Sequence, residues 1–474
     1  MRVLLGLRRA APAFALLLLS GCSSSKDDSS KLHSTSTGGL TISHLAAVES
    51  PSNVLAYVVS WKTSRDADTT LGVDCSGLTP WTLSDSTATS SHHVYLMGLV
   101  TGASCTLTAK ANSGDGGTAS NQVAIKVSDL PSYLPPIELT VPAKQGAVAP
   151  GWTLINLSNE RTQVPYIAAL IGPKGRFRWY YQYPSTVPGN DTPVSQYEDG
   201  VLIGGRGIPL SYVTWQGDVA WSNDTGQYFH HEAKASGTPN EVYTLSGYLC
   251  PSFTNTGGQI VEYDSGKQEN VWTWNLCEHY TPPRQFVDWS HMNAVSLFPG
   301  NKFLMASSRN QNSIFKIDRS TGDLVWTMGY HGEVEDGFHG DFTIADADRF
   351  YHQHDTTVLP NGHILMFDNG RAGVREWSRG LELAYTYSPS GTSEAHVVWQ
   401  FRHKPDIFAP IWGSAQRFQN GNTLVCFGER DAGVQSTIVE VTKDSQPVWE
   451  FRSPEFWGIY RAQRIPEQHG FVSN

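Results

Sequence analysis

Histidines recur in short polar phrases of this sequence, and they are the residues best suited to chemistry. Three phrases carry them: Phe229-His230-His231-Glu232, Asp288-Trp289-Ser290-His291-Met292-Asn293 and Tyr351-His352-Gln353-His354-Asp355. A fourth phrase, Gly413-Ser414-Ala415-Gln416-Arg417, has none. A lone histidine in a β protein is usually a satisfied surface or core residue. Recurrence at matching places of a structural repeat instead predicts convergence on one site.

Two kinds of chemistry fit these residues. Three histidines with a carboxylate nearby are a donor set for zinc or iron. Arg309 follows His291 by 18 positions and offers a permanent charge and a planar donor fork for an oxyanion. Because no all-carboxylate cage is evident, histidine beside arginine favours transfer of an anionic group. In that chemistry a neutral imidazole attacks as the nucleophile and its neighbours stabilise the developing charge.

Repeated strands that end in tryptophan are the elements that must position these phrases. The six residues, spaced 42 to 73 positions apart, are Trp179, Trp221, Trp272, Trp326, Trp399 and Trp449. A second repeated phrase, a strand, a tight turn and a strand, covers 298–304, 359–365 and 418–424. Repeats of this length are typical of propeller blades, whose inner strands line a central channel. We therefore predict an all-β chain with a six-bladed β-propeller over residues 151–474.

The composition fits an all-β fold and argues against nucleic acid as a partner. Charged residues make up 16% of the 474 residues and aromatic residues 11%, while 44 Gly and 26 Pro supply turns. This is the profile of a turn-rich β protein. The formal net charge of −10 gives no reason to expect nucleic acid, which requires clustered Lys and Arg. A local basic pocket for a small anion is compatible with it.

The N-terminus is typical of an exported bacterial lipoprotein. An arginine-rich start precedes an apolar segment that is too short to span a membrane, and residues 19–22 read Leu-Ser-Gly-Cys, which resembles a lipobox. We predict a signal peptide over 1–22, lipidation of Cys22 and a flexible tether over 23–37. The expected location is the cell envelope, with the chain anchored by lipid on the periplasmic or outer-membrane face.

A smaller domain is predicted between the tether and the propeller. Residues 38–130 alternate short strands with turn clusters and resemble a fibronectin type III-like β-sandwich. A Pro-rich linker over 131–150 follows.

The cysteines fit an oxidising compartment, in which disulfides form and persist. Cys75 and Cys105 lie in the small domain and could pair, and so could Cys250 and Cys277 in the next domain. Cys426 is left over and is expected to be buried.

Together, the phrases resemble the arylsulfate sulfotransferase family. The resemblance runs from about residue 150 to 460 and rests on segments 288–293, 307–318, 353–370 and 413–424, which occur in the family's order. It implies a six-bladed propeller with the site in its channel. It also implies a ping-pong transfer of a sulfuryl group from an aryl sulfate donor to a phenolic acceptor, through a sulfated histidine. No cofactor is implied, neither a nucleotide sulfate donor nor a metal.

The resemblance also implies roles for individual residues. His354 matches the nucleophile. His291 and Arg309 match the pair that binds the sulfuryl oxygens and assists the leaving phenoxide, and His231 matches a further channel histidine. Asp355 or a backbone carbonyl is expected to fix the tautomer of a neighbouring imidazole.

Several alternatives stay open. His230 competes with His231, and Arg371 competes with Arg309 as the anion ligand. The segment 317–326 resembles the tryptophan-docking repeat of quinone-dependent dehydrogenase propellers. A non-catalytic lipoprotein propeller, acting as a binding or scaffold module, would carry the same histidines without using them. Convergence of the predicted site residues in one open channel discriminates against that last alternative.

Overall fold

The computed structural model describes residues 33–159, 164–184, 193–205, 207–223, 226–250, 256–281, 288–329, 340–428 and 435–472. The predicted signal peptide, Cys22 and the first part of the tether lie outside these ranges. Within them, no helix is long and apolar enough to cross a membrane. Two short 3-10 turns, Leu276–Glu278 and Asp346–Asp348, interrupt an otherwise all-β structure.

The N-terminal strands form one sheet. They are β1 (Thr35–Thr37), β2 (Ile42–Ser50), β3 (Asn53–Cys75), β4 (Trp81–Leu96), β5 (Ser104–Asn112) and β6 (Thr118–Lys126). The long strand β3 pairs with β2 along its first part and with β5 along its last part, and the register of its pairing with β4 shifts between Lys62 and Thr69. The hydrogen bonding connects the strands in a single sheet, and the fibronectin type III-like assignment stays a prediction. The last residues of the predicted tether form β1, which pairs with β6.

Apart from the last strand, the later strands that the structure describes form six blades, which confirms the predicted six-bladed propeller. Blade 1 contains β8 (Trp152–Asn159), β9 (Val164–Ile171) and β10 (Phe177–Gln182). Blade 2 contains β11 (Val194–Tyr197), β12 (Gly200–Gly205), β13 (Ile208–Thr214) and β14 (Val219–Ser222). Blade 3 contains β15 (Phe229–Ala235), β16 (Glu241–Leu249), β17 (Thr256–Asp264) and β18 (Glu269–Asn275).

The second half of the ring repeats this order. Blade 4 contains β19 (Met292–Leu297), β20 (Phe303–Ser308), β21 (Ser313–Asp318) and β22 (Leu324–Gly329). Blade 5 contains β24 (His354–Val358), β25 (Ile364–Asp368), β26 (Arg379–Thr386) and β27 (Ser393–Phe401), with β23 (Phe342–Ile344) added outside. Blade 6 contains β28 (Ser414–Arg417), β29 (Thr423–Phe427), β30 (Thr437–Val441) and β31 (Pro447–Arg452).

Strands from before the first blade and after the sixth complete the assembly. The predicted linker contains β7 (Glu138–Val141), which pairs with β31 of blade 6. The inner strand of blade 1 is β32 (Ala462–Ile465), which pairs with β8 and closes the ring. The final strand β33 (Gly470–Val472) leaves the propeller and pairs with β4 of the N-terminal sheet. These pairings cover strand edges that would otherwise stay open.

The tryptophans of the repeat lie on the outermost of the four regular strands in every blade and pack toward the next blade. Indole N–H groups donate across the blade boundaries, from Trp179 to the carbonyl oxygen of Trp215 (2.8 Å) and from Trp449 to that of Pro173 (2.9 Å). A buried indole thereby fills the gap between blades while its polar group stays satisfied.

Two disulfides add covalent links. Cys75 is bonded to Cys105, and these residues lie opposite each other on β3 and β5. Cys250 is bonded to Cys277, so the end of β16 is joined to the 3-10 turn after β18. Cys426 is buried and free.

Substitution of a buried repeat tryptophan should destabilise the propeller more than substitution of a partly buried one. Trp326 is 1% exposed and contacts Phe342 and Tyr385 of blade 5, so Trp326→Ala should lower the free energy of unfolding by about 3–5 kcal/mol. Trp221 occupies the same place in blade 2 but is only partly buried, and Trp221→Ala is the matched control. Urea denaturation followed by circular dichroism measures both. Equal losses would contradict packing between blades as the role of these residues.

Candidate active site

The histidine phrases meet at the N-terminal ends of the inner strands. His230 and His231 follow the first residue of β15. His291 directly precedes β19, and His354 is the first residue of β24. The register shifts at these points in all three strands, which marks β-bulges. Bulges re-aim side chains and are common next to active sites, so they turn these imidazoles toward one another.

The backbone around the histidines is unusual as well. His231, His291 and His352 have positive φ angles of 61°, 44° and 53°. Left-handed backbone is uncommon for residues other than glycine and is costly, and it persists where the surrounding structure enforces it. The local conformation is therefore held by the fold and not by these residues' own preferences.

Four predicted site residues come together here. Measured between ring centroids, His231 lies 4.8 Å from His291, and Tyr460 lies 5.9 Å from His231 and 6.2 Å from His354. The charge of Arg309 contributes to lowering the pKa of both His231 and His354. His291 and Arg309 are also joined through the backbone, because the N–H of Arg309 donates to the carbonyl oxygen of His291 (3.1 Å).

His354 is held as one neutral tautomer. Its Nδ1 lies 3.0 Å from the carbonyl oxygen of His352 and 2.7 Å from Oδ1 of Asn369. The amide of Asn369 is itself oriented, because its Nδ2 donates to the carbonyl oxygens of Ala409 and Trp412, both at 2.7 Å. Two acceptors therefore face Nδ1, which must carry the proton. Nε2 of His354 is left with the lone pair.

Burial keeps His354 uncharged. The side chain is 1% exposed, and burial, followed by the charge of Arg309, holds its pKa well below the ordinary value, although the hydrogen bond to Asn369 opposes this shift. Asp355 does not take part in fixing this tautomer. It accepts instead from the backbone N–H of Ala415 (3.3 Å) and faces Arg461.

His291 has a carboxylate partner. Its Nδ1 lies 2.5 Å from Oδ2 of Asp288, and its backbone N–H donates to Oδ1 of the same residue (3.2 Å). Burial tends to raise the pKa of Asp288, but the hydrogen bond and charge of His291 outweigh it, so this pKa lies below its usual value. Asp288 thus stays ionised and orients His291, which leaves the opposite ring nitrogen for a ligand.

The two candidates in the first phrase occupy different environments. His231 is buried, and burial, followed by repulsion from His230 and His291, holds its pKa well below the ordinary value. His230 is more exposed, and its Nδ1 lies 2.6 Å from Nδ1 of His231. Both border a cavity of about 420 Å³ that His291 and Asp288 also line.

The charges of both arginine candidates, Arg309 and Arg371, lower the pKa of His352. Burial lowers the pKa of this histidine to about 3, with Arg309 and then Arg371 as the next causes. For His354 and His231, the charge of Arg309 contributes to the lowered pKa. The guanidinium of Arg309 is positioned by the carbonyl oxygen of Pro410 (3.2 Å) and by Oδ1 of Asn310 (2.8 Å).

A buried group of charges, here called the ionic layer, lies directly after the site residues in the chain. Arg461 donates to both carboxylate oxygens of Glu232 (2.6 and 3.2 Å), and its Nε lies 3.3 Å from Asp355. Lys234 lies 3.2 Å from Glu232 and 3.6 Å from Asp355. On the far side of this layer, a second cavity of about 360 Å³ opens toward the C-terminal ends of the inner strands.

Sequence reasoning missed Asn369, Tyr460, Asp288 and the ionic layer as contributors. Asp288 carried a usable signal, since an Asp three residues before His291 commonly caps a turn. The role of Asn369 depends on contacts with residues 40 or more positions away, which no local pattern reveals. Across the described ranges, no group of three or more His, Cys, Asp or Glu residues is arranged to hold a metal ion.

Comparisons with known proteins connect this site with a family. A family model described as arylsulfotransferase (ASST) matches residues 140–461. Curated proteins give no match. A solved protein of unknown function from Bacteroides caccae is 13% identical with a TM-score of 0.42, covering 66% of this chain and 98% of its own. The Pseudomonas aeruginosa periplasmic gluconolactonase PpgL is 11% identical with a TM-score of 0.38, covering 84% and 99%.

Neither structural likeness bears on the chemistry, whereas the family model spans more than half of the chain and includes every histidine phrase of the site. The chain belongs to the arylsulfotransferase family.

Proposed function

We propose that this arylsulfotransferase carries the sulfuryl group on Nε2 of His354 between an aryl sulfate donor and a phenolic acceptor. The observation that supports this most is the pair of acceptors at Nδ1, His352 and Asn369, which leaves Nε2 as a neutral nucleophile inside a buried site. A buried imidazole with a lowered pKa is ready to attack at neutral pH without first losing a proton.

The first half-reaction forms a bond between sulfur and Nε2 of His354 as the bond from sulfur to the aryl oxygen breaks. The electron pair of the broken bond leaves on the phenoxide. By analogy with phosphoryl transfer, the transition state is loose, with negative charge on the sulfuryl oxygens and on the leaving oxygen. Arg309 would hold the sulfuryl oxygens, and His291, in its protonated form, would give a proton to the phenoxide.

The second half-reaction reverses these roles. The acceptor phenol loses its proton to His291, its oxygen attacks sulfur, and the electron pair of the sulfur–nitrogen bond returns to His354. Asp288 supports both halves because its carboxylate, in contact with Nδ1, keeps the ring of His291 oriented. In this scheme the donor supplies the sulfuryl group directly, so neither a nucleotide sulfate donor nor a metal takes part.

We further propose that the chain is exported and anchored to the cell envelope through lipid on Cys22. The two disulfides support an oxidising compartment, since disulfides are rare in the cytosol.

Removal of the nucleophile should abolish transfer. His354→Ala is expected to lower the turnover of 4-nitrophenyl sulfate with phenol by about 10³-fold or more, because the variant lacks the nitrogen that carries the sulfuryl group between donor and acceptor. His396→Ala, at an exposed position of β27, is the matched control and should keep wild-type turnover. Normal turnover in His354→Ala would overturn the assignment. Release of 4-nitrophenol that does not depend on phenol would indicate a hydrolase.

The pH dependence should identify the electrostatic role of Arg309. Because the pKa of His354 lies well below the ordinary 6.5, kcat/KM for the donor should stay level as the pH falls through 6.5. In Arg309→Gln the repulsion on the imidazolium is lost, so the pKa of His354 rises and the acid limb moves up toward 6.5. Arg309→Lys keeps the charge and should keep the limb in place. A limb that does not move in Arg309→Gln would show that Arg309 acts on the oxyanion alone.

A further inference from the structure

A second cluster of basic residues lies far along the chain from the histidine phrases, where blade 1 meets the N-terminal sheet. Lys174, Arg176 and Arg178 alternate along the turn between β9 and β10 and the start of β10. They line a cleft of about 140 Å³ together with Trp152 and the N-terminal residues 77–79. Lys174 and Arg176 are exposed at the rim, and Lys174 donates to the carbonyl oxygen of Gly77 (3.2 Å).

Arg178 is the unusual member of this cluster. Its side chain is 8% exposed, and its guanidinium lies over the ring of Trp152, 4.5 Å from the centroid. Among the residues that the structure describes, none accepts a hydrogen bond from this guanidinium or forms an ion pair with it, and Nε is shielded from solvent. Burial and the neighbouring charge of Arg176 lower its pKa to about 10, while Glu467 opposes the shift.

The other deeply buried arginines differ in this respect. Arg379, Arg461 and Arg464 each lie within 3.1 Å of a carboxylate oxygen, on Asp368, Glu232 and Glu440 respectively. Burying a guanidinium without such a partner lowers the stability, because no nearby carboxylate offsets the desolvation of the charge. An oxyanion seated against Arg178 would remove that cost and supply the acceptors that its planar donor fork requires.

The charge balance of the cleft also favours an anion. Glu467 is the carboxylate that borders it, and this residue is engaged with His469, whose Nε2 lies 2.8 Å from Oε2 of Glu467. Three cations against one carboxylate leave an excess of positive charge in a chain whose formal net charge is −10. The cleft is well below the roughly 300–1,000 Å³ of pockets for drug-sized ligands, so it suits a free ion better than an aryl sulfate.

We propose that this cleft binds a small tetrahedral oxyanion of the sulfate or phosphate type, with Arg178 at its base and Arg176 and Lys174 at its rim. The bound ion bridges blade 1 and the N-terminal sheet. It therefore stabilises their junction in proportion to its concentration relative to its dissociation constant.

Equilibrium dialysis of the full chain against radiolabelled inorganic sulfate tests the proposal. Since the proposed catalytic pocket is itself a sulfuryl site, the measurement uses Arg309→Gln as the background. We expect sulfate binding in this background to be lost in Arg178→Leu and weakened by about tenfold in Arg176→Gln, which removes one charge-assisted contact. Arg402→Gln, at an exposed arginine paired with Asp406, is the matched control and should bind as the background does.

Thermal unfolding gives an independent readout. Without sulfate, Arg178→Leu should unfold at the same or a higher temperature than the parent, because an unpaired buried charge has been removed. With sulfate, the parent should gain stability and Arg178→Leu should not. Competition by inorganic phosphate would show that the cleft recognises any tetrahedral oxyanion, and its failure would restrict the site to sulfate. Binding that is unchanged in both cleft variants, or no binding of either ion, would overturn the proposal, whatever the result for His354.

Discussion

The ion pairs of Arg461 with Glu232 and Asp355 are the interaction on which the site depends most. These three residues come from the inner strands, or the residues just before them, in blades 1, 3 and 5. Glu232 also accepts from the backbone N–H of Val295 in blade 4, and Asp355 from that of Ala415 in blade 6. Five of the six blades are therefore linked through one buried charge cluster. Loss of one partner would leave an uncompensated buried charge, at a cost of about 3–5 kcal/mol.

The position of this layer in the chain explains how it serves the chemistry. Glu232 directly follows His231, Asp355 directly follows His354, and Arg461 directly follows Tyr460. Fixing the spacing of the charged side chains consequently fixes the spacing of the preceding rings. The phenol of Tyr460 strengthens the same link by donating to the carbonyl oxygen of His231 (3.3 Å). Rings that belong to three distant segments are thereby held at contact distance before any substrate binds. Positioning the reacting groups in advance lowers the barrier to group transfer.

Much of the fold follows from local patterns, whereas the support of the site does not. Trp326 and its counterparts repeat once per blade because each must fill the same gap, so their spacing predicts six blades. The tryptophan spacing does not predict the closing strand β32 or the added strand β7, because their partners lie about 300 residues away in sequence. Likewise, the histidine phrases predict a shared site, but the tautomer of His354 depends on Asn369, whose orientation is set by carbonyl groups of another loop. Asp355, the nearest acidic residue in sequence, is committed to the ionic layer instead.

The most direct test of this account is to find the sulfuryl group on the enzyme. The chain would be mixed with 4-nitrophenyl sulfate in the absence of an acceptor, quenched at neutral pH within one turnover, and analysed by intact mass and peptide mapping. The account predicts one added sulfuryl group, located on His354 and bonded to Nε2, which is discharged when phenol is added. A sulfuryl group on His231 or His291, or rapid turnover with phenol and no adduct on any histidine, would contradict it.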